Sequence, residues 1–249
     1  MAESVDDFFF ADDLKCSEIS EQASIIHAFL TEPNSAAKSA AQTLLLRSKA
    51  DGGPELSKVV AQIIIPLAEE RPEVHEALVK LIGELKDQVE AATGLKSGDN
   101  VSLNYELWEK GLRYGDPDPA NALRGLYRQE WVNINRFAAL VYNASIEDLS
   151  AFGEHVLKLG LRRGGWRVSW SGSVSTSDEV DALQGHVDAA VQWILVSSER
   201  LYNECDNIRE HWGQWKQDLD WITRQDGLKD ETKTLCREAL AKMGSIGAR

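Results

Sequence analysis

The sequence predicts an all-α protein, a single-domain bundle of about eight or nine helices, and three observations predict it. Apolar residues recur at spacings of three and four almost everywhere along the chain. Runs of strict alternation, the mark of a half-buried strand, are nearly absent. The 249 residues, with 43% hydrophobic content, suffice to bury one large core. The expected division is an acidic tail over 1–15 and one α-helical domain over 16–244, with a basic Gly/Ser/Trp loop at 162–177.

The elements follow in chain order. Ile19, Ala23, Ile26 and Leu30 form one face of a first helix from Ser17. Asn34 can accept an orphan backbone N–H and so cap a second, Ala-rich helix through Leu44 and Leu45. Asp51-Gly52-Gly53-Pro54 breaks the chain. Pro54 suits the first turn of a third helix, which Pro66 should kink or end because it donates no N–H. A fourth helix from Arg71-Pro72 has the cleanest stripe, Val74, Leu78, Leu81, Ile82, Leu85 and Val89, with Gly94 placed to terminate it. A short helix then carries Leu107, Trp108 and Leu112 up to Gly115-Asp116-Pro117-Asp118-Pro119.

In the second half, Leu123, Tyr127, Trp131, Ile134, Ala138 and Val141 mark an inward face that stops near Asn143. Ser145 with Asp148 three residues on resembles a capping box and opens a helix through Leu149, Phe152, Val156 and Leu159. From Val180 an apolar stripe runs to Ile222. A helix of that whole length would be far longer than the usual ~10 to 14 residues, so a break is expected at 203–207, where Asn and Asp cluster. On that helix Ala182, His186, Ala189 and Trp193 form a second line, which predicts packing on two sides and a central place. A last helix runs from Leu228 to Met243 and ends at Gly244. No fixed-period repeat is found.

The charge balance excludes some functions. Asp and Glu number 40 against 27 Lys and Arg, a net charge of -13, so a nucleic-acid or acidic-membrane surface is not expected. The start of the chain is acidic and its apolar run Phe8-Phe9-Phe10-Ala11 is short, so no secretory signal is expected. Val59 to Ala68, the longest apolar run, holds Gln62 and Pro66 and is too short to span a bilayer. Cys16, Cys205 and Cys236 are odd in number and scattered, which suits reduced thiols in the cytoplasm or nucleus.

Motifs with strict spacing are missing. None of the five histidines has a Glu three residues before it, as a di-iron bundle needs, and no zinc-protease pair, cysteine cluster, phosphate loop, dinucleotide fingerprint or nucleophile elbow is found. No metal, cofactor or catalytic residue is therefore expected. Asp6-Asp7 and Asp12-Asp13 resemble aspartate-rich metal sites, but at the wrong spacing, and read as solvated tail.

Three features stand out, each with a plain packing reading beside it. Residues 158–177 hold Lys158, Arg162, Arg163, Trp166, Arg167 and Trp170 with no acidic residue. Such a segment can hold an anion or a partner by ion pairing and stacking, or simply connect two helices. Trp131 and Asn135 lie one turn apart, and a half-buried amide there can bind a ligand or satisfy a neighbouring helix. His186 and Trp193 share the second face of their helix, where a histidine with no named partner packs more often than it catalyses. The chain has eight tryptophans, seven of them after residue 130, which suits an interface, a pocket or a bulky core.

The run Trp131-Val132-Asn133-Ile134-Asn135-Arg136-Phe137-Ala138-Ala139-Leu140, with His186 to Ile194 and Leu201-Tyr202, resembles a fungal domain family of unknown function. That family shows a Trp-x-Asn-x-x-x-Phe-Ala-Ala core and a later Ala-Ala-x-Trp-Ile element. The likeness covers residues 55–205, and neither the Trp166 loop nor the Trp-rich helix after it matches. The resemblance implies a filamentous-fungal intracellular protein and supplies no catalytic residues.

The resulting expectation is a cytoplasmic binding or protein-interaction module rather than an enzyme. Its rival is a small-molecule-binding protein or enzyme of fungal secondary metabolism, with a pocket between the Trp131 and His186 helices. A protein partner, a homodimer through the Trp212, Trp215 and Trp221 segment, and a small molecule all stay open.

Overall fold

The computed structural model describes residues 5–9, 19–32, 36–49, 56–94, 101–114, 126–161, 177–225 and 227–246. Among these, eleven helices form and no strand does. They are α1 (Val5–Phe9), α2 (Ser20–Thr31), α3 (Ala37–Lys49), α4 (Leu56–Val59, Val60–Ile64 and Ile65–Glu70 in succession), α5 (His75–Thr93), α6 (Asn104–Tyr114), α7 (Leu126–Asn143), α8 (Ser150–Leu161), α9 (Ser177–Glu204), α10 (Asp206–Ile222) and α11 (Asp230–Ile246).

The period-3.6 reading of the fold class holds, but the count is higher than eight or nine. One added helix lies inside the segment read as a tail. There α1 buries Phe9, whose ring meets His27 of α2 edge-on at 5.0 Å, and Asp6 Oδ1 lies 2.6 Å from His27 Nε2. Apolar burial beside a side-chain hydrogen bond orders a stretch whose composition alone reads as solvated. The chain divides into two compact units, Met1–Glu106 and Leu107–Arg249. The division falls past Gly94, where the stripe of α5 runs out.

In the first unit α3 lies along α5. Ala40, Ala41 and Leu44 are buried on α3, and Leu78, Leu81, Ile82 and Leu85 on α5. The small alanines let the two helix backbones come close. Gly94 adopts φ 68 and donates its N–H to Glu90 O at 2.8 Å, the left-handed stop that glycine favours. Pro66 behaves otherwise than expected. It neither ends nor breaks α4, because the preceding residues Val60–Ile64 widen into a π-helical turn in which Ile65 N–H reaches Val60 O. A proline has no N–H for the carbonyl four residues back and its ring crowds that carbonyl, and a wider turn relieves both problems.

In the second unit α9 is central, packing against α7, α8, α10 and α11. Its contacts set the directions of its neighbours. On α7 and α9 the pairs Arg128–Asp188, Asn135–Trp193 and Tyr142–Arg200 advance together, so the two helices run parallel. On α7 those three residues are seven apart, two helical turns each time. Gly153 faces Trp193 while Gly160 faces His186, so α8 runs antiparallel to α9. Lys229 N–H donates to Gln184 Oε1 and Lys242 Nζ to Leu195 O, which makes α11 parallel to α9 again.

The break expected at 203–207 occurs at Cys205, whose backbone is extended between α9 and α10. A second irregularity was not read from sequence. Ser197 leaves helical geometry (φ -124, ψ 15), and its hydroxyl donates to Trp193 O at 3.0 Å, a back-bond that bends helices. The start of α8 also differs from the expected capping box. Ser145 takes φ 60 in the turn after α7, and Asp148 Oδ1 alone accepts the Ser150 N–H at 3.0 Å. Hydrogen bonding from the Ser150 side chain first and from its N–H second holds the Asp148 carboxyl below its ordinary pKa, with Arg200 adding to it.

Candidate functional site

The helices α7, α8 and α9 bring four of the sequence-selected residues together in the second unit. Trp131, Asn135 and Trp193 are each fully buried. Asn135 Nδ2 donates to Trp131 O at 2.9 Å, and Trp193 Nε1 donates to Asn135 Oδ1 at 2.9 Å. The amide is thus engaged at both ends, once within its own helix and once across to α9. The His186 ring stands edge-on to Trp131 at 6.4 Å. Phe152 lies between the two indoles, 6.2 Å from Trp131 and 6.1 Å from Trp193. Trp108 extends the cluster, 5.5 Å from Phe152 and 5.1 Å from His155.

This arrangement is packed hard. A Cβ added at Gly153 would lie 2.8 Å from the Trp193 ring, and one at Gly160 would lie 2.4 Å from His186 O. His186 Nδ1 is sealed from solvent without a hydrogen-bond partner. Burial, with His155 nearby, lowers the His186 pKa to about 4, so the imidazole is neutral at pH 7. His155 is lowered too, by burial first and by Lys158 second.

A separate polar group closes the far end of α7. Arg200 sits 4.2 Å above the Tyr142 ring, donates to Tyr142 O and holds Glu204 Oε2 at 2.7 Å. Burial, with the Cys205 thiol 3.6 Å away, pushes the Tyr142 hydroxyl well above its ordinary pKa. Neither Cys205 nor Cys236 is in a disulfide. Burial pushes the Cys236 thiol up to about 12, which leaves it a poor nucleophile. Among the described residues no group of three or more His, Cys, Asp or Glu is placed to hold a metal ion.

A pocket of about 360 Å³ opens between α8 and α10, lined by Lys158, His211, Gln214, Trp215 and Asp218. Trp215 and Asp218 are buried, whereas His211, Gln214 and Lys158 are exposed. The His211 imidazole stacks on Trp215 at 5.6 Å with 25° between planes, and its Nδ1 donates to Asn207 O at 2.7 Å. Gln214 Nε2 donates to Asp218 Oδ1 at 2.9 Å. Lys158 pairs with Glu154 one turn earlier on α8.

Sequence reasoning missed this pocket. A signal was present on α10, where 211, 214 and 218 form a polar line beside the apolar line 212, 215, 219 and 222. Arg162, Arg163, Trp166, Arg167 and Trp170, selected as an anion or partner loop, lie outside the described residues.

Among the described residues the second unit is helical, with a polar-aromatic interior and a pocket between α8 and α10. Residues 62–241 match the family described as "Protein of unknown function (DUF3632)", and the chain belongs to that family. No curated protein and no solved structure matches it. No helix among the described residues is long and apolar enough to cross a membrane.

Proposed function

We propose that the chain is a binding module and that the pocket between α8 and α10 is its seat. The pocket itself carries this reading: 360 Å³ falls in the ~300–1,000 Å³ range of small-molecule sites, with one aromatic wall and a few polar groups. The polar residues of the α7–α9 core support it from the other side. Asn135 and Trp193 are engaged with each other, so they hold helices together and offer little to a substrate. We read the host as a filamentous fungus and the location as cytoplasmic, on the Trp131 and His186 motifs and the scattered cysteines.

Native mass spectrometry of the protein recovered from its own host tests the reading. A retained small molecule or a stoichiometric protein partner supports it. A bare chain that turns over a host metabolite would replace it with the enzyme reading. One observation favours that rival, the unpartnered Nδ1 of neutral His186, an atom able to take a proton. If the rival holds, His186→Gln abolishes the turnover; in a binding module it leaves ligand retention unchanged.

A further inference from the structure

We propose that Ser145 is a phosphorylation site for an acid-directed serine kinase, and that the guanidinium of Arg200 receives the phosphate. The pocket between α8 and α10 has no part in this, so the site stands or falls apart from the binding-module reading.

Ser145 occupies a position that the backbone reserves for glycine. Its N–H donates to Tyr142 O at 2.9 Å, and the Ile146 N–H reaches back to Val141 O at 3.2 Å, the paired bonds of a Schellman motif that closes α7. The motif needs a left-handed residue at Ser145, φ 60, where a Cβ is costly and glycine fits without penalty. A bond from the hydroxyl would offset that cost, but Ser145 is exposed and its hydroxyl has no partner among the described residues. The fold gains nothing from this oxygen; a use outside the chain accounts for it.

The residues that follow suit one class of enzyme. Glu147 and Asp148 stand two and three residues on, an acidic context complementary to a kinase with a basic substrate cleft. Residues 144–149 are not helical, and Asp148 is exposed. Giving up its cap on Ser150 as the loop extends into a kinase lowers the competent fraction only on the order of tenfold. In the transfer, Ser145 Oγ bonds the γ-phosphorus of ATP, the bond to the β-phosphate breaks, ADP leaves and the hydroxyl proton passes to the kinase's aspartate.

Arg200 gives the product a seat. It donates to the same Tyr142 O as the Ser145 N–H, so the two donors lie within about 6 Å of each other. Nε holds Glu204 and Nη1 holds Tyr142 O, which leaves the two N–H groups of Nη2 without a partner among the described residues. The side chain is 22% exposed, so a phosphate meets it from solvent, and neither existing bond has to break. The carboxylates of Glu147, Asp148 and Glu204 oppose the dianion, which makes its seat depend on Arg200.

Incubation of the full chain with Mg-ATP and casein kinase II, read by peptide mapping, tests the site. Phosphate on Ser145 is expected. Ser145→Ala should lose it, and the double variant Glu147→Gln, Asp148→Asn should be modified about tenfold or more slowly. Ser145→Gly should lose it too and raise the thermal midpoint by a few degrees, whereas a lowered midpoint would show that the hydroxyl serves the fold. Phosphorus NMR titration of the phosphorylated chain reads the seat. Arg200→Gln, with its helical content verified by circular dichroism, should raise the second pKa of the phosphate, because a cation that favours the dianion is gone. The exposed Ser145 variants keep the test sound if the Arg200 variant does not fold. A bare Ser145, in the kinase reaction or in host-purified protein taken under phosphatase inhibition, overturns the proposal. An equal rate in the double variant or an unchanged second pKa overturns it as well.

Discussion

Asn135 has no solvent contact, and both ends of its amide are engaged in the interior, one by the Trp131 carbonyl and one by the Trp193 indole. Removing the amide with Asn135→Ala leaves a buried indole N–H unpaired and opens a cavity, a loss of about 2–4 kcal/mol. In a double-mutant cycle with Trp193→Phe, urea unfolding should show coupling of the two sites; strictly additive losses would mean that the bond contributes nothing. His186 makes a second prediction, in pH. Its folded-state pKa is about 4 against an ordinary 6.5, so the unfolded chain binds the proton more readily. Stability should be full above pH 6.5 and fall as the pH drops toward 4, in all by roughly 3 kcal/mol at ~1.4 kcal/mol per pH unit. Urea midpoints of His186→Gln should be flatter than those of the parent between pH 6.5 and 5; equal slopes would place the proton uptake elsewhere. At this scale the sequence was partly legible. Trp131 and Asn135 one turn apart, and His186 and Trp193 two turns apart, were visible as helix faces. That Trp193 meets Asn135 was not, because it depends on the register between α7 and α9.

Among the elements, α8 and α9 show how close packing sets sequence. Gly160 lies where a Cβ would come within 2.4 Å of His186 O and 2.6 Å of the Ala190 side chain, so the two backbones nearly touch. Gly160→Ala should force the helices apart and cost about 3 kcal/mol or more, at the upper end of overpacking effects. Gly213, within α10, has nothing within 4 Å of its missing Cβ. There Ala improves helix propensity without a clash, and Gly213→Ala should gain up to about 1 kcal/mol. Thermal unfolding of the two variants should shift in opposite directions; a shared direction would contradict the packing. Helix faces, the stop at Gly94 and the break at Cys205 were readable because each is local. The π-helical turn before Pro66 and the bend at Ser197 were not. In each, local chemistry permits several outcomes, a kink, a stop or a widened turn at Pro66 and a straight or bent helix at Ser197, and packing selects one.

For the whole chain, the net charge of -13 disfavours the compact state through self-repulsion. Raising sodium chloride from 20 mM to 0.5 M shortens the Debye length from roughly 20 Å to about 4 Å, so the thermal midpoint should rise by a few degrees. A falling midpoint would show that attractive pairs outweigh the repulsion. The α8–α10 pocket also belongs to this scale, since Lys158 and the His211–Asp218 line are more than fifty residues apart in the chain. By itself the sequence determined that the chain is helical, where most helices begin and end, and which face of each is apolar, because these follow from the period of side chains along one backbone. Only the tertiary structure decided the two units, the parallel course of α7, α9 and α11, the Asn135–Trp193 bond and the charged pocket. Those depend on which helix lies beside which and in what register, and a periodicity that repeats in every amphipathic helix does not encode that choice.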